Sequence, residues 1–415
     1  MTFQERTEKF ADLLVRLGVN LQKGQYLLLD IDVENYILAE AIADAALGRG
    51  AADVIVHWSD PCMDRSRAVH GVHTELDAVE EWETESYDRY IKAGACSLRV
   101  ISTYPTLFEG VDPQNAAAVQ HHHDNTRNIL RKGTAECGMH WCISVAPSVN
   151  WAKYLFPEYP EQEAVEKLWD VLFRICCIDE NDPVENWMKV MSRNSAYVEL
   201  LNRSGVDSIH FWNGNGTDLT VGFQPNVKWV GAQADAYTPD TYLPNLPTAE
   251  VSTSPDKYRV DGTVAASRPM MEGGTIIRNF GFTFRHGKVV DFYAETGYDA
   301  LKALLDTDEG SRYLGEVAFV PCDSPIAQTG FLFLNTLLDE NAACHLALGR
   351  GFSVLFENLS GTDYSQWDRV NLNHSKIHVD FMFGTPDMCA EVAMRDGSKL
   401  LLFKNGRFNP DVLKP

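Results

Sequence analysis

The 415-residue chain has no uninterrupted apolar stretch of the length that a membrane-spanning helix requires. It opens with MTFQERTEKFADLLVRLGVN, in which charged residues interrupt the apolar ones, so no secretory signal peptide is expected. Basic residues are scarce, since 36 Lys and Arg stand against 58 Asp and Glu, for a formal net charge of -22. Because this charge repels phosphate backbones and anionic lipid headgroups, we expect neither nucleic acid nor membrane surfaces as partners.

Regularly spaced cysteine pairs are also absent. The chain has nine cysteines, an odd number, and they are scattered without any CxxC pattern. This distribution is typical of reduced thiols and predicts a cytoplasmic protein. The chain is also longer than one hydrophobic core usually supports, so we expect two domains.

The first part of the chain alternates strand-like and helical segments. Residues 3–17 place apolar side chains at helical spacing, while QYLLLDI and ADVIVHWSD have the pattern of buried strands around the helical NYILAEAIADAALGRG. CSLRVIST, HWCISVA and the helix-like EQEAVEKLWDVLFRICCI continue the alternation. The sequence therefore predicts an N-terminal three-layer α/β sandwich with a parallel sheet, over residues 1–190.

The pattern changes after the segment NDPVENW. Short apolar runs are then separated by NGNG, QPN, EGG and RHG turns, which favours antiparallel strands. In LLLFKNGRF, the dipeptide Asn405-Gly406 predicts a two-residue type I′ hairpin. We therefore predict a C-terminal α+β domain with a partly barrel-like antiparallel sheet, over residues 191–415.

The segment IHVDF places an imidazole and a carboxylate on one face of a predicted strand. His378 and Asp380 are two residues apart, so both side chains leave the same face, while Val379 and Phe381 point to the other. Such a pair lines a cavity and binds metal, or it belongs to an ordinary surface strand with the same alternation. The segment alone leaves both interpretations open.

A second histidine stands in an apolar segment, LLDENAACHLALGRGF. The composition predicts a helix with Asp339 and Glu340 near its first turn and His345 inside it. A histidine among Ala, Leu and Cys needs a polar partner, so His345 is a ligand or a satisfied core residue. Glu340 takes part in chemistry or merely complements the helix dipole.

Two glutamates also interrupt apolar or turn-forming surroundings, Glu250 in LPTAEVSTSP and Glu316 in LGEVAFVP. Buried carboxylates are rare unless they are paired or bound to metal, although either residue could be an exposed acid at a strand end. Together with His345, His378 and Asp380 they provide donors for one or two divalent ions. The run HHHD at 121–124 is different, because consecutive helix positions diverge, and we expect a solvated helix face there.

Several segments together resemble the thermophilic-type metallo-aminopeptidase family, which includes the aminopeptidase T, aminopeptidase S and PepS groups. The resemblance covers essentially the whole chain. Its segments are GVNLQKGQ, WCISVAPSVNWAKYLFP, DPVENW, GNGTDLTVGF, NLPTAEVSTSP, DGTV, LGEVAFVP, LLDENAACHLALG, IHVDFMFG and KNGRF. The resemblance implies a homodimer that removes N-terminal residues from peptides, or from a related small amide, with two divalent ions.

The resemblance also implies roles for individual residues. The family's metal ligands fall on Glu250, Glu316, His345, His378 and Asp380, and the ions would be zinc, cobalt or magnesium. We expect the two ions to share a glutamate and a bridging water whose pKa falls toward neutrality. Catalytic roles then fall on Glu316 and on Glu340, which would be a further ligand or the base that transfers the proton.

The chain departs from the family at Phe352, where a tyrosine is usual. A tyrosine hydroxyl could donate to the oxyanion or orient a ligand, and phenylalanine cannot. Phe352 is a candidate residue of the substrate pocket. Because it replaces the tyrosine, two other functions of the chain remain possible. One is a non-haem Fe(II) dioxygenase of the dihydroxypyridine type, which would use the two histidines with Asp380. The other is a binding protein with weakened catalysis.

Overall fold

The structure is a computed structural model that describes residues 1–71, 81–112, 114–116, 118–119, 129–130, 139–233, 241–272, 275–357, 359 and 364–414. The histidine run at 121–124 lies outside these residues. The chain forms two compact units, one from Met1–Trp187 with Gln233–Pro247 and one from Met188–Ala232 with Thr248–Pro415. The division predicted from the sequence, at residue 190, does not include the grouping of Gln233–Pro247 with the first unit. The two predicted domains stay a prediction.

The first unit contains a four-stranded parallel sheet with the strand order β2-β1-β3-β4. The strands are β1 (Tyr26–Asp32), β2 (Asp53–Ser59), β3 (Cys96–Ile101) and β4 (Trp141–Val145). The described helices are α1 (Phe3–Leu13), α2 (Tyr36–Gly48), α3 (Pro61–Val69), α4 (Glu81–Lys92), α5 (Val149–Leu155) and α6 (Glu161–Ile175). Each strand segment predicted in this part of the chain is confirmed.

Local sequence explains how this unit begins. Thr2 caps α1, since its hydroxyl accepts a hydrogen bond from the Glu5 backbone while the Glu5 carboxylate accepts one from the Thr2 backbone. In β1 the consecutive residues Leu27, Leu28 and Leu29 are all buried. Strands that are apolar on both faces are typical of parallel sheets, which are covered on both sides.

The second unit contains two antiparallel sheets. Its strands are β5 (Val206–Trp212), β6 (Asp218–Gly222), β7 (Val230–Gly231), β8 (Val251–Thr253), β9 (Val260–Ala265), β10 (Met270–Glu272), β11 (Thr275–Arg285), β12 (Lys288–Thr296), β13 (Leu314–Phe319), β14 (His345–Gly349), β15 (His378–Met382), β16 (Cys389–Met394), β17 (Lys399–Lys404) and β18 (Arg407–Phe408). The helices are α7 (Pro183–Arg203, of which 188–203 belong here), α8 (Tyr298–Leu305), α9 (Thr336–Glu340) and α10 (Tyr364–Arg369).

The larger sheet has nine strands in the order β10-β11-β9-β6-β5-β16-β17-β18, with β12 paired to β11. The smaller sheet has the order β15-β14-β13-β8-β7. The mixed α/β fold, with one parallel sheet and separate antiparallel sheets, is thus confirmed. The hairpin between β17 and β18 also has the predicted turn, since Asn405 and Gly406 both have positive φ, at 50° and 69°.

Alternation along β13 and β15 separates the core of this unit from a polar face. Phe319 of β13 packs on Phe211 of β5, with ring centroids 5.4 Å apart. Phe381 of β15 packs on Phe282 of β11 at 5.0 Å. Side chains one residue away along β15 point to the opposite face, so Asp380 faces away from the aromatic core.

The helix predicted around His345 is wrong. Helix α9 ends at Glu340, so Asp339 and Glu340 lie in its last turn, and His345 begins strand β14. The Ala and Leu residues of this segment favour a helix on local propensity. In the fold, however, β14 pairs with β13 on one side and β15 on the other, and this pairing overrides the local preference.

Candidate metal centre

The five predicted ligands lie on one face of the smaller sheet in the second unit. Glu316 of β13 is paired with Ala347 of β14, which is paired in turn with Asp380 of β15. His345 lies two residues before Ala347, and His378 lies two residues before Asp380. Because side chains two residues apart share a face, the sheet brings these four polar side chains together.

Glu250 joins this face from the end of a neighbouring strand. It directly precedes β8, in which Ser252 pairs with Ala318 of β13. Glu250 and Ser252 are two residues apart and point to the same side, and Ser252 hydrogen-bonds the carboxylate of Glu316. All five residues proposed from the sequence are therefore brought together.

Short distances connect the imidazoles to the carboxylates. Nε2 of His345 lies 3.4 Å from Oε2 of Glu250, and Nε2 of His378 lies 3.3 Å from Oε2 of Glu316. The same nitrogen of His378 lies 3.6 Å from Oδ1 of Asp380. Each imidazole therefore presents its Nε2 atom to acidic oxygens, as a metal-binding histidine does.

The other ring nitrogen of each histidine faces a backbone carbonyl. Nδ1 of His378 lies 2.7 Å from the oxygen of Arg350, and Nδ1 of His345 lies 3.3 Å from the oxygen of Ala343. Because a carbonyl oxygen only accepts, Nδ1 carries a proton in both rings, so Nε2 is the nitrogen that would bind a metal in the neutral imidazole. Gly315 makes room for the Arg350 carbonyl, since a Cβ at this position would lie 2.4 Å from its oxygen.

The carboxylates have unequal pKa values. Burial, with the charge of Glu316, raises the pKa of Glu250 to about 7. Burial also raises the pKa of Asp380, although the charge of His378 opposes the shift. Burial disfavours the charged form of Glu316 as well, but the hydrogen bond and charge of His378 keep its pKa below the ordinary value. Like charges crowd this sheet face, and the two histidines partly offset them.

The pKa values of both histidines are raised, although burial alone would lower them. Burial disfavours the charged imidazole, yet Asp380 and Glu316 raise the pKa of His378 to about 9. Glu250 and Asp380 likewise raise the pKa of His345 against the effect of burial. The carboxyl groups of this sheet face therefore favour a positive charge beside them, which protonated imidazoles or a bound cation would supply.

The donor set fits divalent ions. Two groups of potential ligands share Glu316, the first with Glu250 and His345 and the second with His378 and Asp380. The ligand atoms within each group lie within 4.8 Å of one another. Oδ1 of Asp380 is buried without a hydrogen-bond partner among the described residues. A buried carboxylate oxygen is costly to leave unpaired, and a bound cation would satisfy it.

Glu340 and Phe352 lie beside this donor set. Burial, together with the negative charges of Asp380 and Glu250, raises the pKa of Glu340 well above its ordinary value. The Phe352 ring centroid lies 5.0 Å from that of His378, and its backbone N–H donates to Oγ of Ser254 at 2.9 Å. A tyrosine at position 352 would thus carry its hydroxyl on a ring next to a candidate ligand.

Two groups that support this site were not predicted from the sequence. Ser252 hydrogen-bonds Glu316, and its position two residues after Glu250 in EVSTS is a signal that strand alternation could have provided. The Arg350 carbonyl, which orients His378, has no sequence signal because any residue supplies a carbonyl group.

Among the described residues, no helix is both long and apolar enough to cross a bilayer.

Comparisons with known proteins identify the family of this chain. A sequence profile of the thermophilic metalloprotease (M29) family matches residues 3–408. The chain is 35% identical to aminopeptidase AmpS of Bacillus subtilis (strain 168) over 407 residues, which is 98% of this chain and 99% of that protein. It is 36% identical to aminopeptidase T of Thermus aquaticus, with the same coverage of 98% and 99%.

Solved structures give the same result. Wild-type AmpT from Thermus thermophilus superposes with a TM-score of 0.90 and 34% identity, covering 98% of this chain and 100% of that one. The 2,5-dihydroxypyridine dioxygenase from Pseudomonas putida KT2440 superposes with a TM-score of 0.52 and 13% identity, covering 99% and 98%, which shows a shared fold alone. The full-length matches confirm the resemblance found in the sequence, and the chain belongs to the thermophilic metalloprotease (M29) family.

Proposed function

We propose that this chain is a metal-dependent aminopeptidase that hydrolyses the N-terminal residue from short peptides at a dinuclear metal centre. Its family makes it a metal-dependent hydrolase of peptide bonds. The observation that carries the dinuclear centre is the presence of two adjacent ligand groups that share Glu316. A carboxylate with two oxygens can bridge two ions, and paired ions of this kind are common in aminopeptidases.

Each proposed ligand has a position in one of the two groups. Glu250 and His345 would hold one ion, His378 and Asp380 would hold the other, and Glu316 would bridge them. Divalent ions at such a site lower the pKa of bound water toward neutrality and polarise a carbonyl group. Zinc, cobalt and magnesium are the candidates, and the mixture of imidazole and carboxylate donors suits zinc and cobalt well.

Glu340 is our candidate for proton transfer. It lines the same cavity as His378 and Asp380, and its contact with the Asn341 side chain is long, at 3.4 Å. In its ionised form, this carboxylate would take a proton from the attacking water and pass it to the leaving amide nitrogen. Glu340 acts in this proposal as a proton carrier rather than as a ligand.

The substrate would be a peptide, or a small amide, with an unblocked N-terminus. An exopeptidase needs an anchor for the free amine of its substrate, and a carboxylate in or beside the site would supply it, because an ammonium group brings the positive charge that these buried acids lack. Acetylation removes the positive charge of this group and adds bulk. We therefore expect N-acetylated peptides to be poor substrates.

We extend the proposal to the surroundings of the site. The parallel sheet would form a three-layer α/β sandwich in an N-terminal domain of residues 1–190, and residues 191–415 would form a catalytic domain with a partly barrel-like sheet. The protein would be a cytoplasmic homodimer. The scattered cysteines and the acidic composition support the cytoplasm, and the family resemblance supports the dimer.

A ring-cleaving dioxygenase is the second candidate, because His345, His378 and Asp380 form a two-histidine, one-carboxylate set. Against it, Glu250 and Glu316 lie within 3.4 Å of the two histidines and add two carboxylates to that set. A binding protein with weakened catalysis is the third. Iron content with oxygen uptake would identify the dioxygenase, and purification without metal would favour the binding protein.

The test is release of amino acids from a panel of dipeptides and aminoacyl anilides by metal-loaded protein. We expect release from unblocked substrates, loss of release after chelation, and recovery when zinc, cobalt or magnesium is added back. N-acetylated counterparts serve as matched controls. Failure to release any residue from the panel, with the metal content verified, would contradict the proposal.

A further inference from the structure

A cavity of about 220 Å³ adjoins the candidate metal centre in the second unit. His378, Asp380 and Glu340 form part of its wall. Cavities that enclose drug-sized ligands are larger, at about 300–1,000 Å³. This cavity therefore has room for one residue of a peptide beside the proposed ions.

The remaining wall of the cavity is mainly apolar and adaptable. Three methionines, Met270, Met271 and Met382, line it together with Leu332 and Leu334. Methionine side chains are flexible and polarisable, so they adjust to ligands of different shape. Such a wall suits the side chain of a substrate residue and favours apolar contact over hydrogen bonding.

Hydrogen bonds fix one side of the cavity. Asp339 accepts hydrogen bonds from the backbone N–H groups of Phe333, at 2.8 Å, and of Asn335, at 3.2 Å. Between them, Leu334 has a positive φ of 56°, a conformation that costs energy in a residue with a side chain. The buried carboxylate of Asp339 thus holds the chain in a shape that keeps Leu334 in the wall of the cavity.

Glu272 differs from the other acids of the cavity. It ends strand β10, opposite Thr275 of β11, and its side chain lines the cavity. Its carboxylate has no hydrogen bond or ion pair with the described part of the chain, and burial raises its pKa. A half-buried acid without a partner gains most from a ligand that brings a positive charge.

We infer that this cavity is the subsite for the N-terminal residue of the substrate, and that Glu272 binds a cationic amino or guanidinium group of that residue. The inference rests on the proposed function, because it takes the neighbouring metal centre as the place of cleavage. The cation is the α-ammonium group of every unblocked peptide or the side chain of an N-terminal lysine or arginine.

The first test compares Glu272→Gln with the wild type on leucyl, methionyl, lysyl and arginyl anilides. Glu309→Gln is the matched control, since this glutamate is exposed in the same unit and does not line the cavity. A hydrogen bond to a charged group corresponds to a change of about 10- to 150-fold in affinity. We therefore expect Glu272→Gln to raise KM by about this factor, with a smaller change in kcat, while Glu309→Gln matches the wild type.

The two cation sources predict different patterns. If Glu272 binds the α-ammonium group, KM rises by a similar factor for all four substrates. If it binds the side chain, KM rises for the lysyl and arginyl substrates and stays unchanged for the leucyl and methionyl ones. Equal KM values for Glu272→Gln and the wild type on all four substrates would overturn the inference.

The second readout is binding without turnover. Calorimetry on metal-loaded protein would measure the affinity for the products leucine and lysine and for N-acetyl-leucine. Glu272→Gln should weaken both free amino acids or lysine alone, depending on the cation source, and unchanged affinities would overturn the inference. If wild-type protein releases no residue from any substrate, the proposed function fails, and calorimetry still decides whether Glu272 binds the cation.

Discussion

An acid-rich cluster in the first unit and the candidate metal site in the second unit differ in how their carboxylates are paired. In the first unit, the hydroxyl of Tyr104 donates to Asp32 and lies 3.3 Å from Glu34. The backbone of Glu34 donates to Asp32 at 2.9 Å, and the backbone of Val149 donates to Glu34 at 2.8 Å. Protein donors thus satisfy both acids in this cluster.

The cluster in the second unit has too few donors for its acids. Glu250, Glu316 and Asp380 face two imidazoles, and an oxygen of Asp380 is buried without a hydrogen-bond partner among the described residues. Acidic composition alone does not separate the two clusters. The unsatisfied oxygen of Asp380 does separate them, because a cation could satisfy it, whereas N–H and O–H groups already satisfy the acids of the first cluster.

The largest effect that this comparison predicts follows from Glu316→Gln. An amide at this position cannot bridge two cations, so we expect kcat/KM to fall by about 10³-fold or more. Metal content, measured by elemental analysis, should fall in parallel. The matched control is Glu34→Gln in the first cluster, which should keep nearly wild-type activity. Similar losses of kcat/KM in Glu316→Gln and Glu34→Gln would show that the two clusters do not differ in their importance for activity.

A smaller effect is expected from Ser252→Ala. Ser252 hydrogen-bonds Glu316, and loss of such a supporting contact typically lowers metal affinity or activity by about 10- to 100-fold. Metal affinity, measured by competition with a chelating dye, should fall without loss of the fold. Ser398→Ala changes an exposed serine in the same unit and serves as the control. Unchanged affinity in Ser252→Ala would remove Ser252 from the support of the site.

Phe352→Tyr adds a donor beside the second cluster. The ring contacts His378, so the new hydroxyl would lie close to the substrate and the proposed ions. One donor to a developing oxyanion contributes about 10²-fold or more where it is well placed, and we expect a gain of about tenfold in kcat. Steady-state kinetics at constant metal content measure it. An unchanged kcat would show that Phe352 does not limit activity.

The smallest effect on activity, with a measurable effect on stability, is expected from Tyr104→Phe. The variant removes a donor to buried Asp32, which costs about 1–3 kcal/mol of unfolding free energy and leaves activity unchanged. Urea denaturation measures this loss, with Tyr36→Phe, an exposed tyrosine, as the control. A loss of peptidase activity in Tyr104→Phe would contradict the structural role of the first cluster.

The effect of Tyr104→Phe should also depend on pH. Burial raises the pKa of Asp32 above its ordinary value of 3.8, so the folded protein keeps the proton of this carboxyl group up to a higher pH than the unfolded chain does. As the pH rises from the ordinary pKa of Asp32 to its raised pKa, the free energy of unfolding therefore falls. Tyr104 opposes this fall because its hydrogen bond stabilises the charged carboxylate. Its removal should cost more at pH 7 than at pH 3.5, and an equal cost at both would contradict the mechanism.

The sequence predicts part of the cluster in the second unit. The pairing of His378 with Asp380 follows from strand alternation in IHVDF, because one period-two segment fixes both side-chain directions. Glu250 and Glu316 stand out as acids in apolar surroundings. Sequence gives no means of finding the order β15-β14-β13-β8, in which strands distant in the chain become neighbours, and this order makes the ligands converge.

Local propensity fails where tertiary contacts are strongest. The Ala- and Leu-rich segment around His345 reads as a helix, yet it forms a central strand because both neighbours provide hydrogen bonds. The cavity beside the site was not predicted either, since Glu272 lies in the segment MMEGG, which reads only as a turn. In the first unit each predicted strand is confirmed, because the apolar runs and helical segments alternate there without conflict.

The location of bound metal tests the central claim most directly. Crystals of cobalt- or zinc-loaded protein should give two anomalous-scattering peaks per chain, one bounded by Glu250, Glu316 and His345 and the other by Glu316, His378 and Asp380. A single peak, or any arrangement in which Glu316 contacts only one ion, would contradict the shared-carboxylate centre.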